Sequence, residues 1–295
     1  MVTLIQFPWS PFCITVRHIL ERNGIPFRLR NIPYHERGSI IKATDGRGYT
    51  VPCVVDGKQA ICDVTDFGQE VARYVDRRYT LNLFPKEVEG IQLILSRYIE
   101  DDLEMVGFKI NDSYIIPARP LVERVMLIRH KERKFGKGCL QEWTSHRTYL
   151  CVQFAELLTP IDKMLAELPF LISDRPLFVD YDLYGVIENY LFSGKTKLPN
   201  LKHLRRWHRA MANPPWKTES VGLMLRCPDH SKKVLTSLNL LTRQPAGTLR
   251  RAMSPGEALP TFLTLPSGEL PNCPSLRASN EHILIVRVPR ARRMA

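Results

Sequence analysis

A serine and a cysteine at the start of a predicted helix are the residues of this chain best placed to do chemistry. Residues 8–13 are Pro-Trp-Ser-Pro-Phe-Cys, and a strand-like run at residues 2–7 precedes them. Pro11 suits the first turn of a helix, where no backbone N–H is needed. Because free N–H groups and the positive end of the helix dipole face Ser10, an anion such as a thiolate beside its hydroxyl would be stabilised. The alternative is that Ser10 only caps the helix.

Cys13 is the second candidate for catalysis and lies one helical turn beyond Ser10. In a C-P-x-C disulfide-exchange motif the first cysteine attacks. Ser10 stands at that position here, so the usual attacking thiol is missing. A packing role therefore competes with a reactive one for Cys13. Cys53 and Cys62 fall in strand-like segments and are predicted to be buried, unreactive thiols.

The elements that must position Ser10 follow the order of a thioredoxin-like α/β domain. The helix after Ser10 has one apolar stripe and ends at Asn23-Gly24; the stripe consists of Cys13, Val16, Ile19 and Leu20. Strands are predicted at residues 3–7, 26–30, 49–55 and 59–62, with a closing helix at 66–76. A βαβ unit followed by a hairpin and a helix is typical of that domain.

Pro52 lies inside the third predicted strand. A proline cannot donate to a sheet ladder, so this position is predicted to be a sheet edge beside a site. The bond between Val51 and Pro52 is the candidate for a cis peptide.

The rest of the chain divides into a helical region and a tail. Residues 79–86 form a polar linker, and helical periodicity then continues to about Met211, which predicts an all-helical domain of about five helices at 87–212. Within it, the basic run 124–137 predicts either a solvated helix face or a site for an acidic ligand or nucleic acid. Residues 213–295 hold ten of the 22 prolines and no apolar periodicity, so we expect a mostly disordered tail.

The tail carries two clusters of basic residues, Arg250-Arg251 and Arg290-Ala291-Arg292-Arg293. Their charge predicts a weak contact with nucleic acid or an acidic membrane surface. Residues 281–288 could form one isolated strand, which would be marginal without a partner.

Composition excludes several classes of protein. Hydrophobic residues make up 44% of the chain and charged residues 24%, which is typical of a soluble globular protein, and no apolar run reaches the roughly 18 residues of a membrane-spanning helix. The N-terminus lacks the basic start and apolar stretch of a secretory signal. The seven cysteines form no C-x-x-C pair and no Cys/His cluster with zinc spacing. We therefore expect free thiols, a cytoplasmic location and no metal site.

Residues 2–212 resemble the cytosolic glutathione transferase superfamily, because four of its motifs occur in the chain in the same order. Residues 9–17 resemble the W-x-S-P-F-x-x-x-V-R start of serine-type members, such as the tau class and many bacterial proteins. Residues 50–57 match the V-P-x-L-x-x-G element, whose proline is cis in the family. Residues 61–67 are similar to the acidic-serine element that holds the γ-glutamyl end of glutathione. Residues 175–181 resemble the P-S-x-A-D-Y box that opens the core helix of the second domain.

The resemblance implies a thioredoxin-like glutathione-binding domain at 1–78, a linker at 79–86 and the all-helical domain. It makes the Ser10 hydroxyl the hydrogen-bond donor to the glutathione sulfur. Backbone groups of Val51, ahead of Pro52, would pair with the cysteinyl part, and Asp63 would hold the γ-glutamyl ammonium. Thr65 would contribute a hydroxyl nearby, whereas Val64 replaces the usual serine and offers only its backbone N–H.

The remaining site residues are less clearly marked by the sequence. Lys42 and Arg47 are the candidates for the carboxylate of glutathione's glycine. The second-substrate pocket of this superfamily lies between the two domains. Trp9, Tyr114 and Trp143 are its aromatic candidates, with ordinary core packing as the alternative for each.

The function implied by the resemblance is a homodimeric transferase that activates the glutathione thiol for attack on a small electrophile. Glutathione would be its co-substrate, with no metal. Two alternatives stay open on the same scaffold. One is a glutathione-dependent thiol-disulfide or peroxide reductase, and the other is a non-catalytic binding or scaffold protein.

Overall fold

A four-stranded mixed sheet forms the first layer of the protein, for which the computed structural model describes residues 1–63 and 69–213. The strands lie in the order β2-β1-β3-β4. Strand β1 pairs in parallel with β2 and antiparallel with β3, and β3 pairs antiparallel with β4. The strands span Val2–Gln6 (β1), Phe27–Asn31 (β2), Cys53–Asp56 (β3) and Gln59–Cys62 (β4).

Three helices accompany the sheet: α1 at Pro11–Arg22, α2 at Gly38–Ala43 and α3 at Glu70–Tyr79. The predicted thioredoxin-like order is confirmed, and α1 ends at the predicted stop, with Asn23 as its C-cap. The short helix α2 had no signal in the sequence. The predicted end of α3 is wrong, because the helix continues three residues past Asp76 and stops where Thr80 adopts a left-handed conformation.

The segment around Pro52 differs from its prediction. The Val51-Pro52 bond is cis, as predicted. However, the strand begins only at Cys53 and lies between β1 and β4, so the predicted strand start at residue 49 and the predicted edge position are both wrong. Two features keep residues 49–52 out of the ladder: Pro52 has no N–H, and the Thr50 hydroxyl donates to the backbone carbonyl of Asp63.

The helical region begins with a 3₁₀ turn at Lys86–Val88 and continues through seven α-helices within the described residues. A π-helical segment, Tyr98–Glu104, joins α4 to α5, and a single residue separates α7 from α8. The seven helices therefore form about five runs, the number expected from the length of the region. The helices are α4 at Glu89–Arg97, α5 at Met105–Ile115, α6 at Leu121–Phe135, α7 at Cys139–Ser145, α8 at Arg147–Glu167, α9 at Phe178–Leu191 and α10 at Lys202–Ala212.

Helix α9 holds α1 in place by unusually close packing. A Cβ atom at Gly185 would lie only 2.5 Å from the carbonyl oxygen of Pro11. The Thr15 hydroxyl donates to the backbone carbonyl of Tyr181 at 3.2 Å, and the Asn189 side-chain amide donates to the carbonyl of Trp9 at 2.6 Å. The start of α1, where Ser10 lies, is therefore fixed by the helical region.

The buried carboxylate of Asp180 connects α9 with the loop before it and with α10. Asp180 is fully buried and accepts three hydrogen bonds, from the backbone N–H groups of Leu171 and Leu177 and from the indole N–H of Trp207. These bonds tie the start of α9 to the preceding loop and to α10. Leu177 has no hydroxyl to cap α9, and the Asp180 side chain satisfies its backbone N–H instead.

All of the described residues belong to one compact unit. The tail predicted at 213–295 lies outside them apart from its first residue, as does the isolated strand expected at 281–288. Val64 and Thr65 also lie outside the described residues.

Candidate active site

The Ser10 hydroxyl lies at the N-terminus of α1 without a capping partner. Ser10 is the N-cap residue in an extended conformation, with φ −68° and ψ 128°, and its side chain makes no capping hydrogen bond. Its backbone carbonyl accepts the N–H of Ile14 at 2.9 Å, which starts the helix. The hydroxyl is half-buried and is available to a ligand beside the positive end of α1.

A cleft of about 760 Å³ opens in front of Ser10. Its walls come from β1–α1, the segment between β2 and α2, the residues before β3, and one face of α6. Ser10 and Val51 both lie in this lining, so the structure brings these two predicted site residues together. The lining residues are Phe7, Ser10, Tyr34, His35, Arg37, Tyr49, Thr50, Val51, Met126, His130, Arg133 and Lys134.

Cys13 is fully buried and does not line the cleft. Burial raises the pKa of its thiol to about 12, and this effect outweighs a hydrogen bond with the Ser10 side chain, which lowers the pKa. The thiol is therefore protonated at neutral pH. Cys53 and Cys62 are buried, as predicted, and burial also raises the pKa of Cys53 to about 12.

Asp63 directly follows β4 and is buried next to the segment that carries Val51. Its carboxylate accepts the backbone N–H of Val71 on α3 at 2.9 Å, and its backbone carbonyl accepts the Thr50 hydroxyl. Burial, with a smaller contribution from the nearby carboxyl of Glu70, raises the pKa of the Asp63 carboxyl to about 8. Asp63 thus anchors both α3 and the residues before β3, and it does not line the cleft.

Arg37 is the cation that the first domain contributes to the described lining of the cleft, in place of the two residues considered from the sequence. Lys42 and Arg47 are exposed and do not line the cleft, and the Arg47 side chain donates to the carbonyl of Thr44 at 2.9 Å. The Arg37 guanidinium lies 4.3 Å from the ring centroid of Phe7 and 4.9 Å from that of Tyr34. Burial lowers its pKa. No ion pair of Arg37 with a carboxylate occurs among residues 1–63 and 69–213.

The three aromatic residues predicted for the second-substrate pocket lie apart from the cleft. Trp9 is buried and stacks on Phe7 at 5.1 Å, and Trp143 is buried against Phe135 and another ring of the helical region. Tyr114 lines a different cavity of about 390 Å³. Among the described residues, the cleft is lined by the aromatic side chains of Phe7, Tyr34 and Tyr49. No periodic pattern marks Tyr34, which lies between the predicted elements, and Tyr49 stands at the start of the strand predicted at 49–55, which in the structure begins only at Cys53.

The described residues hold no metal-binding cluster and no membrane-spanning helix. No group of three or more His, Cys, Asp or Glu side chains in that part of the chain has the arrangement of a metal site. None of the helices described there is long and apolar enough to cross a membrane.

Comparison with known proteins identifies the architecture around the cleft. Residues 4–82 match the family model described as the N-terminal domain of glutathione S-transferase. A glutathione transferase of Phanerochaete chrysosporium superposes with a TM-score of 0.62 at 19% identity, covering 72% of this chain and 96% of the fungal one. The described chain has the glutathione transferase fold. The helical region is therefore the second domain of that fold, and the cleft lies between the two.

Two further solved structures with the glutathione transferase fold were obtained as glutathione complexes. One is a glutathione S-transferase of Ceriporiopsis subvermispora, with a TM-score of 0.59, 17% identity and coverage of 72% of this chain and 95% of that one. The other is glutaredoxin 2 of Salmonella typhimurium, with a TM-score of 0.57, 17% identity and coverage of 72% and 93%. No curated protein matches the sequence.

Proposed function

We propose that the chain is a glutathione transferase in which Ser10 activates the thiol of glutathione for attack on a small electrophile. The observation that carries this proposal is the uncapped hydroxyl of Ser10 at the N-terminus of α1, inside a cleft of about 760 Å³. The match of residues 4–82 to the glutathione S-transferase domain supports it. So do the glutathione complexes of two proteins that share the fold.

The chemistry requires a thiolate at neutral pH. A free thiol has a pKa of about 8.5, and each unit by which the site lowers that pKa corresponds to about 1.36 kcal/mol in favour of the thiolate. A hydroxyl donor and a helix N-terminus both favour the charged form. The thiolate then forms a carbon–sulfur bond with the electrophile. The leaving group departs with its bonding electrons, and the thiol proton passes to solvent.

The other parts of glutathione find partners around Ser10 in this proposal. Backbone groups of Val51 pair with the cysteinyl residue. The γ-glutamyl ammonium is assigned to Asp63 by the family resemblance; this carboxyl is buried and lies outside the described cleft lining, and a cation beside it would stabilise its charged form. Val64 and Thr65 adjoin this end. Arg37 replaces Lys42 and Arg47 as the proposed partner of the glycine carboxylate, because its guanidinium faces the cleft without an acidic partner among the described residues.

The structure favours the transferase over the two alternatives. A thiol-disulfide reductase needs an accessible thiolate, and burial keeps the Cys13 thiol protonated and away from the cleft. A non-catalytic scaffold needs no serine hydroxyl at a helix N-terminus that lines a cleft. The homodimer and the cytoplasmic location expected from the sequence stay predictions.

Four variants test this function by glutathione conjugation of chlorodinitrobenzene. We expect Ser10→Ala to lose most of its kcat/KM, Ser10→Thr to keep a substantial part of it, and Cys13→Ala to retain activity. Ser145→Ala is the matched control, because Ser145 is an exposed serine that does not line the cleft. Loss of activity in Cys13→Ala with retention in Ser10→Ala would exchange the roles of the two residues and overturn the proposal.

A further inference from the structure

Among the described residues, the charged side chains that line the cleft all have the same sign. Arg37, Arg133 and Lys134 are cationic, two imidazoles accompany them, and no aspartate or glutamate of residues 1–63 and 69–213 belongs to the lining. Within residues 1–63 and 69–213, none of these three cations forms an ion pair with a carboxylate. Lys131 on the same helix, by contrast, pairs with Asp112 at 2.8 Å. The cleft thus presents positive charge that the described residues do not neutralise.

Helix α6 builds one wall of the cleft from a single face. Met126, His130, Arg133 and Lys134 follow the three- and four-residue spacing that places side chains next to one another on a helix. Burial and the neighbouring cations lower the pKa of His130. The imidazole is therefore mostly neutral at pH 7, and the positive charge of this wall comes from Arg133 and Lys134.

The aromatic side chains of Phe7 and Tyr34 line the cleft between Ser10 and this wall. The ring of Tyr34 lies 6.1 Å from that of His130 on one side and 5.3 Å from that of Phe7 on the other. The Arg37 guanidinium covers the rings of Phe7 and Tyr34. A flat ring bound in the cleft beside Tyr34 would therefore lie against the Arg37 guanidinium and not on the covered ring faces, with Ser10 at one end and the cations of α6 at the other.

We infer that the second substrate of this cleft is an aromatic electrophile that carries a carboxylate. Arg133 and Lys134 bind the carboxylate, and Tyr34 and Met126 contact the ring. The inference rests on the proposed function, because it names the class of the second substrate. Arg37 is assigned there to glutathione, which leaves the two α6 cations for the other ligand. A volume of about 760 Å³ is within the range of small-molecule sites, about 300–1,000 Å³, and favours a small acid over nucleic acid as the ligand of this basic run.

The reaction with such a substrate needs no reagent besides glutathione and solvent. For chlorodinitrobenzoate, the glutathione sulfur forms a bond to the ring carbon that bears chlorine. The carbon–chlorine bond breaks, chloride leaves with the bonding electrons, and the thiol proton passes to solvent. The carboxylate takes no part in bond making, so its contribution is confined to binding.

The test measures binding of an unreactive pair of ligands to the full chain without glutathione. Dinitrobenzoate and dinitrobenzamide have nearly the same shape and differ in charge. We expect calorimetry to show tighter binding of dinitrobenzoate, and the double variant Arg133→Gln/Lys134→Gln to weaken it about fivefold to tenfold, as expected for two partly exposed ion pairs. Binding of dinitrobenzamide should stay the same. The matched control is Arg129→Gln/Lys137→Gln, which removes the same charge from exposed residues outside the cleft lining.

The outcomes separate this inference from the proposed function. If wild-type protein binds both ligands equally, or if the two double variants weaken dinitrobenzoate binding alike, the inference is overturned even when glutathione conjugation of neutral chlorodinitrobenzene proceeds. If the anion site behaves as expected but glutathione does not bind, the proposed function fails and the substrate assignment fails with it. Steady-state kinetics with glutathione and chlorodinitrobenzoate complete the test. We expect the KM for chlorodinitrobenzoate to rise in Arg133→Gln/Lys134→Gln while kcat stays the same.

Discussion

Replacement of Gly185 by alanine tests how strictly the helical domain positions the catalytic helix. The added Cβ would lie 2.2 Å from the hydroxyl oxygen of Thr15, 2.5 Å from the carbonyl oxygen of Pro11 and 3.2 Å from the Thr15 nitrogen. An ordinary contact requires about 1 Å more than the two shortest of these separations. Because the Pro11 carbonyl belongs to the backbone of α1, rotation of a side chain cannot relieve the clash, and α1 must move away from α9.

The cost of this substitution has two parts. Overpacking of a buried contact costs about 1–3 kcal/mol. The hydrogen bond from the Thr15 hydroxyl to the Tyr181 carbonyl adds about 1 kcal/mol when it is lost. We therefore expect Gly185→Ala to destabilise the protein by about 3 kcal/mol, a fall in melting temperature of about 6–12 °C for a domain of this size. Since α1 carries Ser10, kcat/KM should fall by up to about 100-fold, even at temperatures where the variant is folded.

Gly90→Ala is the matched control, because it makes the same change on α4 where nothing lies within 4 Å of the new Cβ. Alanine is a better helix former than glycine, so this variant should be as stable as wild type or more stable by up to about 1 kcal/mol. Thermal and urea unfolding of both variants measure the difference. A Gly185→Ala protein that melts within about 2 °C of wild type would refute the close packing of α1 on α9.

Two further predictions concern stability. Burial raises the pKa values of Asp63, Glu100 and Glu104 to about 8, 7 and 7, so the folded chain holds more protons than the unfolded chain near neutral pH. The free energy of unfolding should therefore fall as pH rises from 7 to 8. His18, whose pKa burial lowers to about 4, opposes this trend chiefly below about pH 6.5, where the unfolded imidazole binds a proton that the folded one does not. Urea unfolding that shows greater stability at pH 8 than at pH 7 would contradict the prediction. Asp180→Ala removes the acceptor of three buried donors, each of which costs about 1–3 kcal/mol when unpaired. We expect a loss of at least about 3 kcal/mol by denaturant titration, and a smaller loss would show that the donors find other partners.

The first domain was predictable because its signals are local. A strand, a helix-starting proline and a helix stop follow one another within residues 2–24, and Asp56-Gly57 marks the hairpin directly. The strand start at residue 49 was wrong because β-forming residues continue through a segment whose backbone is diverted by Pro52. Helix α2 has only six residues, too few for a periodic pattern to emerge.

The cleft was only half predictable from the sequence. Ser10 and Val51 could be identified because short motifs contain them. Arg37 could not, because it lies in an irregular segment and acquires its role only when α6 packs opposite it. The basic run at 124–137 was visible, but only the helical register shows that Arg133 and Lys134 face the cleft while Lys131 pairs with Asp112. A buried aromatic residue such as Trp143 cannot be told from a pocket residue by type alone.

The pKa of the glutathione thiol bound to this protein tests the central claim most directly. Ultraviolet absorbance of the bound thiolate, followed against pH, gives that pKa for the wild type and for Ser10→Ala. The account predicts a wild-type value about one to two units below the roughly 8.5 of a free thiol, and a return toward 8.5 in Ser10→Ala with the fold retained. A bound thiol whose pKa is the same in both proteins would contradict the role of Ser10.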